Sequence, residues 1–171
     1  MWRPGLVLLI ACAPTIALAD EHISERPVEI QIDGGLSVIA AGVEVPVSPH
    51  WSAMLGAGIF GSYFLPWFDV GDNTIGVIAD ARVTWFHRTH GSSLYITPYV
   101  RTGVTKGTND DLQRDGSGPV LTGGFFVGYA FDLSHVDLRL GVGAQYIYID
   151  GSNGIDASTV FPALDFTLGF H

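Results

Sequence analysis

His135 to Ile149 reads HVDLRLGVGAQYIYI, and this stretch decides the fold. Taken every second residue, one face is Val136, Leu138, Leu140, Val142, Ala144, Tyr146 and Tyr148. The other is Asp137, Arg139, Gly141, Gly143, Gln145 and Ile147. A helix crossing lipid would carry Asp137 and Arg139 into hydrocarbon at high cost. A strand gathers both charges on one face and leaves the other uncharged. The reading is strand.

The same separation recurs along the chain. Ile75–Phe86 sets Ile75, Val77, Ala79, Ala81, Val83 and Trp85 against Gly76, Ile78, Asp80, Arg82, Thr84 and Phe86. Leu94–Val104 sets Leu94, Ile96, Pro98, Val100, Thr102 and Val104 against Tyr95, Thr97, Tyr99, Arg101 and Gly103. Trp51 to Phe68 is an uncharged run long enough for a membrane helix. It contains Gly56, Gly58, Gly61 and Pro66, however, and its apolar residues alternate. These segments are about ten residues or longer, above the ~5–6 of most globular strands, and ~9–11 tilted residues cross the hydrocarbon. A secreted lipocalin-like carrier inverts this pattern, with its smooth apolar face inside; it is the soluble alternative.

Composition narrows the class. Of 171 residues, 47% are hydrophobic and only 15% charged, which excludes a disordered chain and suits one domain. A net charge of −9 with eight Lys+Arg leaves no footprint for nucleic acid. The single Cys excludes a disulfide scaffold and any Cys-based zinc site.

Residues 1–19 read as a signal peptide, with Arg3, an apolar stretch from Leu6, and Ala17-Leu18-Ala19 before Asp20. Leu9-Ile10-Ala11-Cys12 resembles a lipoprotein box but leaves a shorter apolar stretch than signals use. The remaining 20–171 form the barrel domain. Eight strands are predicted at 27–32, 36–47, 51–61, 74–86, 93–105, 120–131, 135–149 and 159–170, with Asp33-Gly34-Gly35 turning the first hairpin. Short turns then alternate with long connections at 62–73, 106–119 and 150–158. Outer-membrane barrels show this alternation, with short periplasmic turns, longer outward loops and even strand numbers. Trp51, Trp85, Phe131 and Phe170 fall at the predicted periplasmic ends. Tyr63, Phe64, Trp67, Phe68, Tyr146 and Tyr148 fall near the outer ends, giving two interface belts.

The closing segment Val160-Phe161-Pro162-Ala163-Leu164-Asp165-Phe166-Thr167-Leu168-Gly169-Phe170-His171 resembles the last strand of bacterial outer-membrane proteins, departing by the one residue after Phe170. In pattern and layout the chain resembles the small eight-stranded barrels of the OmpA transmembrane-domain and OmpX kind. That resemblance implies an all-β, antiparallel up-and-down transmembrane barrel in the outer membrane of a Gram-negative bacterium. It also implies insertion machinery reading the last strand, and outer-membrane lipid and lipopolysaccharide as surroundings. A monomer with no cofactor is expected.

Period two sends Glu29, Glu44, Asp80, Asp137 and Asp165 inward with Arg82, Arg101 and Arg139. Eight strands enclose a space that side chains fill, and buried charges there need partners. An ion network in a plugged polar lumen is therefore expected, with glycines at 56, 58, 103, 124, 128, 141 and 143 making room for arginines, Tyr95, Tyr99 and Phe126. A narrow cation path is the functional alternative.

Enzymatic chemistry on lipopolysaccharide needs a nucleophile and base together near the outer leaflet. His22, His50, His87, His90, His135 and His171 all fall at the periplasmic end or in the leader, away from Ser62, Ser117, Ser152 and Ser158. The expectation is a non-enzymatic protein with structural or surface-interaction roles. The His cluster reads as turn residues before it reads as a metal or pH site. Asp150-Gly151-Ser152-Asn153-Gly154-Ile155-Asp156 resembles a calcium loop only faintly, for it lacks the bidentate Glu. Asp69, Asp72, Asp110, Asp111 and Asp115 keep the outward loops polar, while Tyr63–Phe68 reads as an interface anchor.

Overall fold

The computed structural model describes residues 26–61, 74–109 and 114–171. Its strands are β1 Glu29–Gly34, β2 Val38–Ser48, β3 Trp51–Gly61, β4 Ile75–Phe86, β5 Ser93–Asn109, β6 Arg114–Asp132, β7 Val136–Asp150 and β8 Asp156–Phe170. Each pairs antiparallel with its neighbours in sequence, and β1 returns to β8 to close the ring. The closing register runs from Ile30↔Phe170 to Gly34↔Phe166. Along this seam closure pairs the backbone groups of both end strands, as an apolar outer surface requires, while β8 extends beyond the seam toward the top. The fold class is the eight-stranded up-and-down barrel that the alternation predicts.

One end, the base, carries the turns at 49–50, 87–92 and 133–135. The other, the top, carries the turn at 151–155 and the tip of the β5–β6 hairpin. Three expectations about connections are corrected. The first hairpin does not turn at Asp33-Gly34-Gly35. β1 continues through Gly34, and the Gly35 N–H closes the turn on the Val38 carbonyl (2.8 Å). Residues 106–119 are not a long loop, because the β5–β6 ladder continues to Asn109↔Arg114. Above the sheet both faces of a hairpin are polar, so hydrophobic alternation vanishes while backbone pairing goes on. The connection at 150–158 is likewise shorter than expected, because β7 and β8 pair up to Asp150 opposite Asp156 and leave only 151–155 to turn. Asn153 and Gly154 turn the chain there at positive φ (59° and 78°), as the mirror-image hairpin turns require. The expected signal peptide at 1–19, the aromatic segment with Trp67, and Asp110 and Asp111 lie outside the described residues.

The faces sort as period two demands. Outside stand Leu55, Val77, Val142 and Val160, each more than 60% exposed. Inside lies a layered filling. Toward the top it is apolar: Val38, Phe60, Ile78, Val120, Ile147, Ile149, Ile155 and Phe161. The expected polar core is therefore confined to the lower part, where charges share space with Phe86, Tyr95, Tyr99 and Phe126. Charge marks an inward position in the sequence, and Ile147, Phe60 and Ile78 carry none, so the apolar layer has no such mark.

Inward glycines set how closely the walls and filling approach. Gly128 and Gly141 face each other across β6–β7, and a Cβ at either would collide with the Tyr95 ring or hydroxyl. At Gly143 a Cβ would fall on the Phe125 carbonyl oxygen. Gly143→Val is expected to destabilise the barrel by about 1–3 kcal/mol, as overpacking does. Val142→Ile, one residue away on the outer face, should stay within about 0.5 kcal/mol of the parent. Urea titration in lipid vesicles, followed by tryptophan fluorescence, measures both.

Candidate functional site: the charged lumen

Two arginine-centred clusters occupy the lower lumen. The first is built on Arg82 of β4. Its Nε and Nη2 donate to Asp80 Oδ2 (3.1 and 2.8 Å), and its Nη1 donates to Asp33 Oδ1 at 3.0 Å. Asp165 Oδ1 lies 3.4 Å from the same Nη1. β4 stands opposite β8 in the ring, so the Arg82–Asp165 contact crosses the whole lumen. Arg101, directly across from Asp80 on β5, donates Nε to Asp80 Oδ2 at 3.0 Å. Neutral donors complete the cluster. The Tyr95 hydroxyl donates to Asp165 Oδ2 (2.5 Å), and the Thr167 hydroxyl to Asp33 Oδ1 (2.5 Å).

The second cluster is built on Arg139 of β7. Its Nη1 and Nη2 grip Glu44 Oε2 and Oε1 at 2.8 and 2.9 Å, a bidentate pair. Nη2 also donates to Glu29 Oε2 (2.9 Å) and lies 3.5 Å from Asp137. Glu29 and Glu44 are direct cross-strand partners, and the guanidinium between them offsets the repulsion of like charges. Gln31 donates to Glu29 (3.1 Å) and Ser52 to Glu44 (2.7 Å). Below them Arg26 lies 3.7 Å over the Phe86 ring, with Arg139 on the same ring at 5.0 Å. Arg26 also reaches Asp137 (3.5 Å) and the Gly91 carbonyl (3.1 Å).

All eight charged residues assigned to the lumen are buried, each no more than 6% exposed. They fall into these two groups, with Glu29, Glu44, Asp137 and Arg139 below Asp80, Arg82, Arg101 and Asp165. Sequence reasoning missed Asp33 and Arg26. A signal for Asp33 existed, since Glu29, Gln31 and Asp33 alternate with Ile30 and Ile32. The two glycines after Asp33 signal a turn instead, and the structure carries the strand through it. Arg26 precedes the first strand and has no period to betray it.

No family model and no curated sequence matches the chain. Among solved structures, the N-terminal β-barrel domain of Pseudomonas aeruginosa OprF superposes with a TM-score of 0.53 at 16% identity, covering 84% of this chain and 96% of that one. The fold is that of a small outer-membrane barrel. Neisserial surface protein A (NspA) is similar over 83% of this chain and 91% of that one, with a TM-score of 0.48 and 12% identity.

On this outer-membrane-barrel fold the girdle residues sit at the rims. Trp51 and Phe170 are exposed at the base (44% and 43%), and Tyr146 and Tyr148 nearer the top. Trp85, opposite Trp51, is flanked by the rings of His50 (6.5 Å) and His87 (6.1 Å). His50 Nδ1 lies 2.8 Å from the Phe86 carbonyl oxygen, and His171 Nε2 lies 3.1 Å from that of Ser134. His90 and His135 also stand at the base. Among the described residues no group of three His, Cys, Asp or Glu is arranged to hold a metal. Ser117, Ser152 and Ser158 stand at the top, the last hydrogen-bonded to the Tyr146 hydroxyl (2.7 Å). The faint calcium loop is the Asn153-Gly154 hairpin turn, and Asn153 Nδ2 donates to the Asp115 carbonyl (2.6 Å).

Removing the cation from a buried cluster strands its carboxylates. Arg139→Met should cost about 3–5 kcal/mol, the usual penalty for breaking a buried pair on one side. Adding Glu29→Gln and Glu44→Gln to that variant should restore most of the loss, because amides need no counter-charge. Urea unfolding of the single and triple variants in vesicles checks the order.

Proposed function

We propose that this chain is a non-enzymatic integral protein of the bacterial outer membrane. Its role is structural or surface-binding, carried at the top, and its lumen is plugged and passes no solute. The single observation that carries this reading is the sorting of faces: arginines and carboxylates inside, exposed Leu55, Val77, Val142 and Val160 outside. An apolar patch of this size on a soluble monomer would be a liability, whereas on a barrel it matches the hydrocarbon. The lipocalin-like alternative needs the opposite sorting. The base, with its tight turns and Trp51, Trp85 and Phe170, faces the periplasm in this reading, and the β5–β6 hairpin faces outward.

Plugging is supported by the two layers of filling. Ion pairs join opposite walls through Arg82 and Arg139, and above them Phe60, Ile147, Ile149 and Phe161 form a layer without charge. A hydrated ion would have to break the first and shed its water to cross the second. A non-enzymatic role is supported by the placement of histidines at the base and of Ser117, Ser152 and Ser158 at the top, the length of the barrel apart. The last strand, ending Gly169-Phe170-His171, is the segment we assign to the insertion machinery.

Expression with envelope fractionation tests the location. The protein should cofractionate with outer membrane as a monomer, begin at Asp20 by mass spectrometry, and migrate faster on gels before boiling than after. A water-soluble product would overturn the reading. In planar bilayers the purified barrel should show no sustained conductance of porin size, and lipid A acylation should be unchanged when the gene is deleted.

A further inference from the structure

The outer face of the barrel is interrupted near the top by an apolar groove of about 490 Å³. Its floor and walls are Ile59 of β3, Ile75 and Val77 of β4 and Val104 of β5, and its upper side carries Lys106 and Ser117. Ile75, Lys106 and Ser117 form one outward row, paired in register across β4, β5 and β6. Beyond it the β5–β6 hairpin continues past the end of its ladder with β4, so the groove lies in the corner beneath that projection.

The charge at this spot is distinctive. Lys106 is the chain's single lysine. Of the seven arginines, Arg82, Arg101 and Arg139 are spent in the lumen, Arg26 and Arg88 lie at the base, Arg3 is in the leader and Arg114 is at the hairpin tip. The one cation on the outer wall of the sheet therefore stands against an alkyl-sized groove, with a hydroxyl beside it. A flexible ammonium on an apolar stem reaches from hydrocarbon to headgroups, and as a compact point charge it pairs with phosphate.

We infer that this groove seats one acyl chain of lipid A, with a lipid A phosphate on Lys106 and Ser117. The inference rests on the orientation given above, which puts the groove in the outer leaflet, where the phosphorylated lipid is lipopolysaccharide. Because lipid tails are as apolar as the groove wall, selection comes from the phosphate contact and from shape, not from hydrophobic transfer.

Native mass spectrometry of the detergent-purified full chain, titrated with bisphosphorylated lipid A, tests it. One lipid A should remain bound per barrel, and the dephosphorylated form should bind markedly less. Lys106→Gln should weaken binding about fivefold or more, while Lys106→Arg should retain it. Val77→Trp, which fills the groove from a position 63% exposed, should weaken binding with the headgroup contact left intact. Heat-modifiable migration confirms that each variant is folded. Unchanged binding in Lys106→Gln or in folded Val77→Trp overturns the proposal, and so does equal retention of phosphatidylglycerol. Binding that emerges only when Tyr63–Phe68 is replaced by serines also overturns it, making that segment the occupant. Since the assay is done in detergent, a failure here is separate from a failure of outer-membrane fractionation.

Discussion

The Arg82 guanidinium is the point on which the barrel's interior turns. It leaves β4 and binds Asp80 on its own strand, and Asp33 and Asp165 on the far wall. Arginine suits this position because its planar fork presents several donors at fixed angles and keeps its charge when buried. A single lysine amine would have to choose among the three carboxylates. The consequence is mechanical. β1 is only six residues long and holds the ring shut between β2 and β8. Asp33 bound to Arg82 and Glu29 bound to Arg139 anchor it to β4 and β7 as well. The shortest strand is thus held from inside as well as along both edges.

Such an interior is stable only because its donors and acceptors are nearly matched. Six lumen carboxylates (Glu29, Asp33, Glu44, Asp80, Asp137 and Asp165) meet four guanidiniums (Arg26, Arg82, Arg101 and Arg139). The shortfall in positive charge is met by hydrogen bonds from Gln31, Ser52, Tyr95 and Thr167. Desolvating a charge costs several kcal/mol, and close ion pairs supplemented by neutral donors are what offset it. The glycines belong to the same account. Tyr95 reaches Asp165 because Gly128 and Gly141 have no side chains in its way, and the Glu29 carboxylate occupies the place where a Cβ of Gly169 would stand.

Much of this was legible in the chain. Strand existence and the inward face follow from period two plus the rule that charges avoid lipid, and Arg82, Arg101 and Arg139 are assigned inward from those alone. Strand order and ring closure rest on the alternating connection lengths and on the resemblance to small outer-membrane barrels. The illegible parts share a cause. Asp33 was hidden because Gly34-Gly35 signals a turn more loudly than one more alternating residue signals a strand. The upper β5–β6 hairpin was hidden because, once a strand leaves the hydrocarbon, nothing forces its faces to differ. Which carboxylate meets which arginine was also beyond reach. Pairing across a lumen depends on shear, so that Glu44 of β2 and Arg139 of β7 meet although no local spacing relates them.

The two kinds of cation in this protein occupy the two environments that their solvation allows. Arg82, Arg101 and Arg139 stand in the dry interior, where a weakly hydrated planar ion is less costly to bury and can be satisfied by fixed oxygens. Lys106, strongly hydrated and mounted on a flexible stem, stands on the outside of the sheet near its upper end, beside Ile75 and Val104. The two sites differ in what they demand: lysine in the lumen would leave carboxylates without donors, whereas the wall position asks only for a positive charge on a long apolar stem. The same sorting accounts for the layering inside. Charges collect in the lower lumen, where β1 supplies Glu29 and Asp33 and β8 supplies Asp165. Above them, the wall opposite is Val38, Phe60 and Ile78, and the filling turns to Ile147, Ile149, Ile155 and Phe161. A barrel this narrow fills each height with side chains: lower down, ions and their partners share the space with Phe86, Tyr95, Tyr99 and Phe126, and above them hydrocarbon side chains take over.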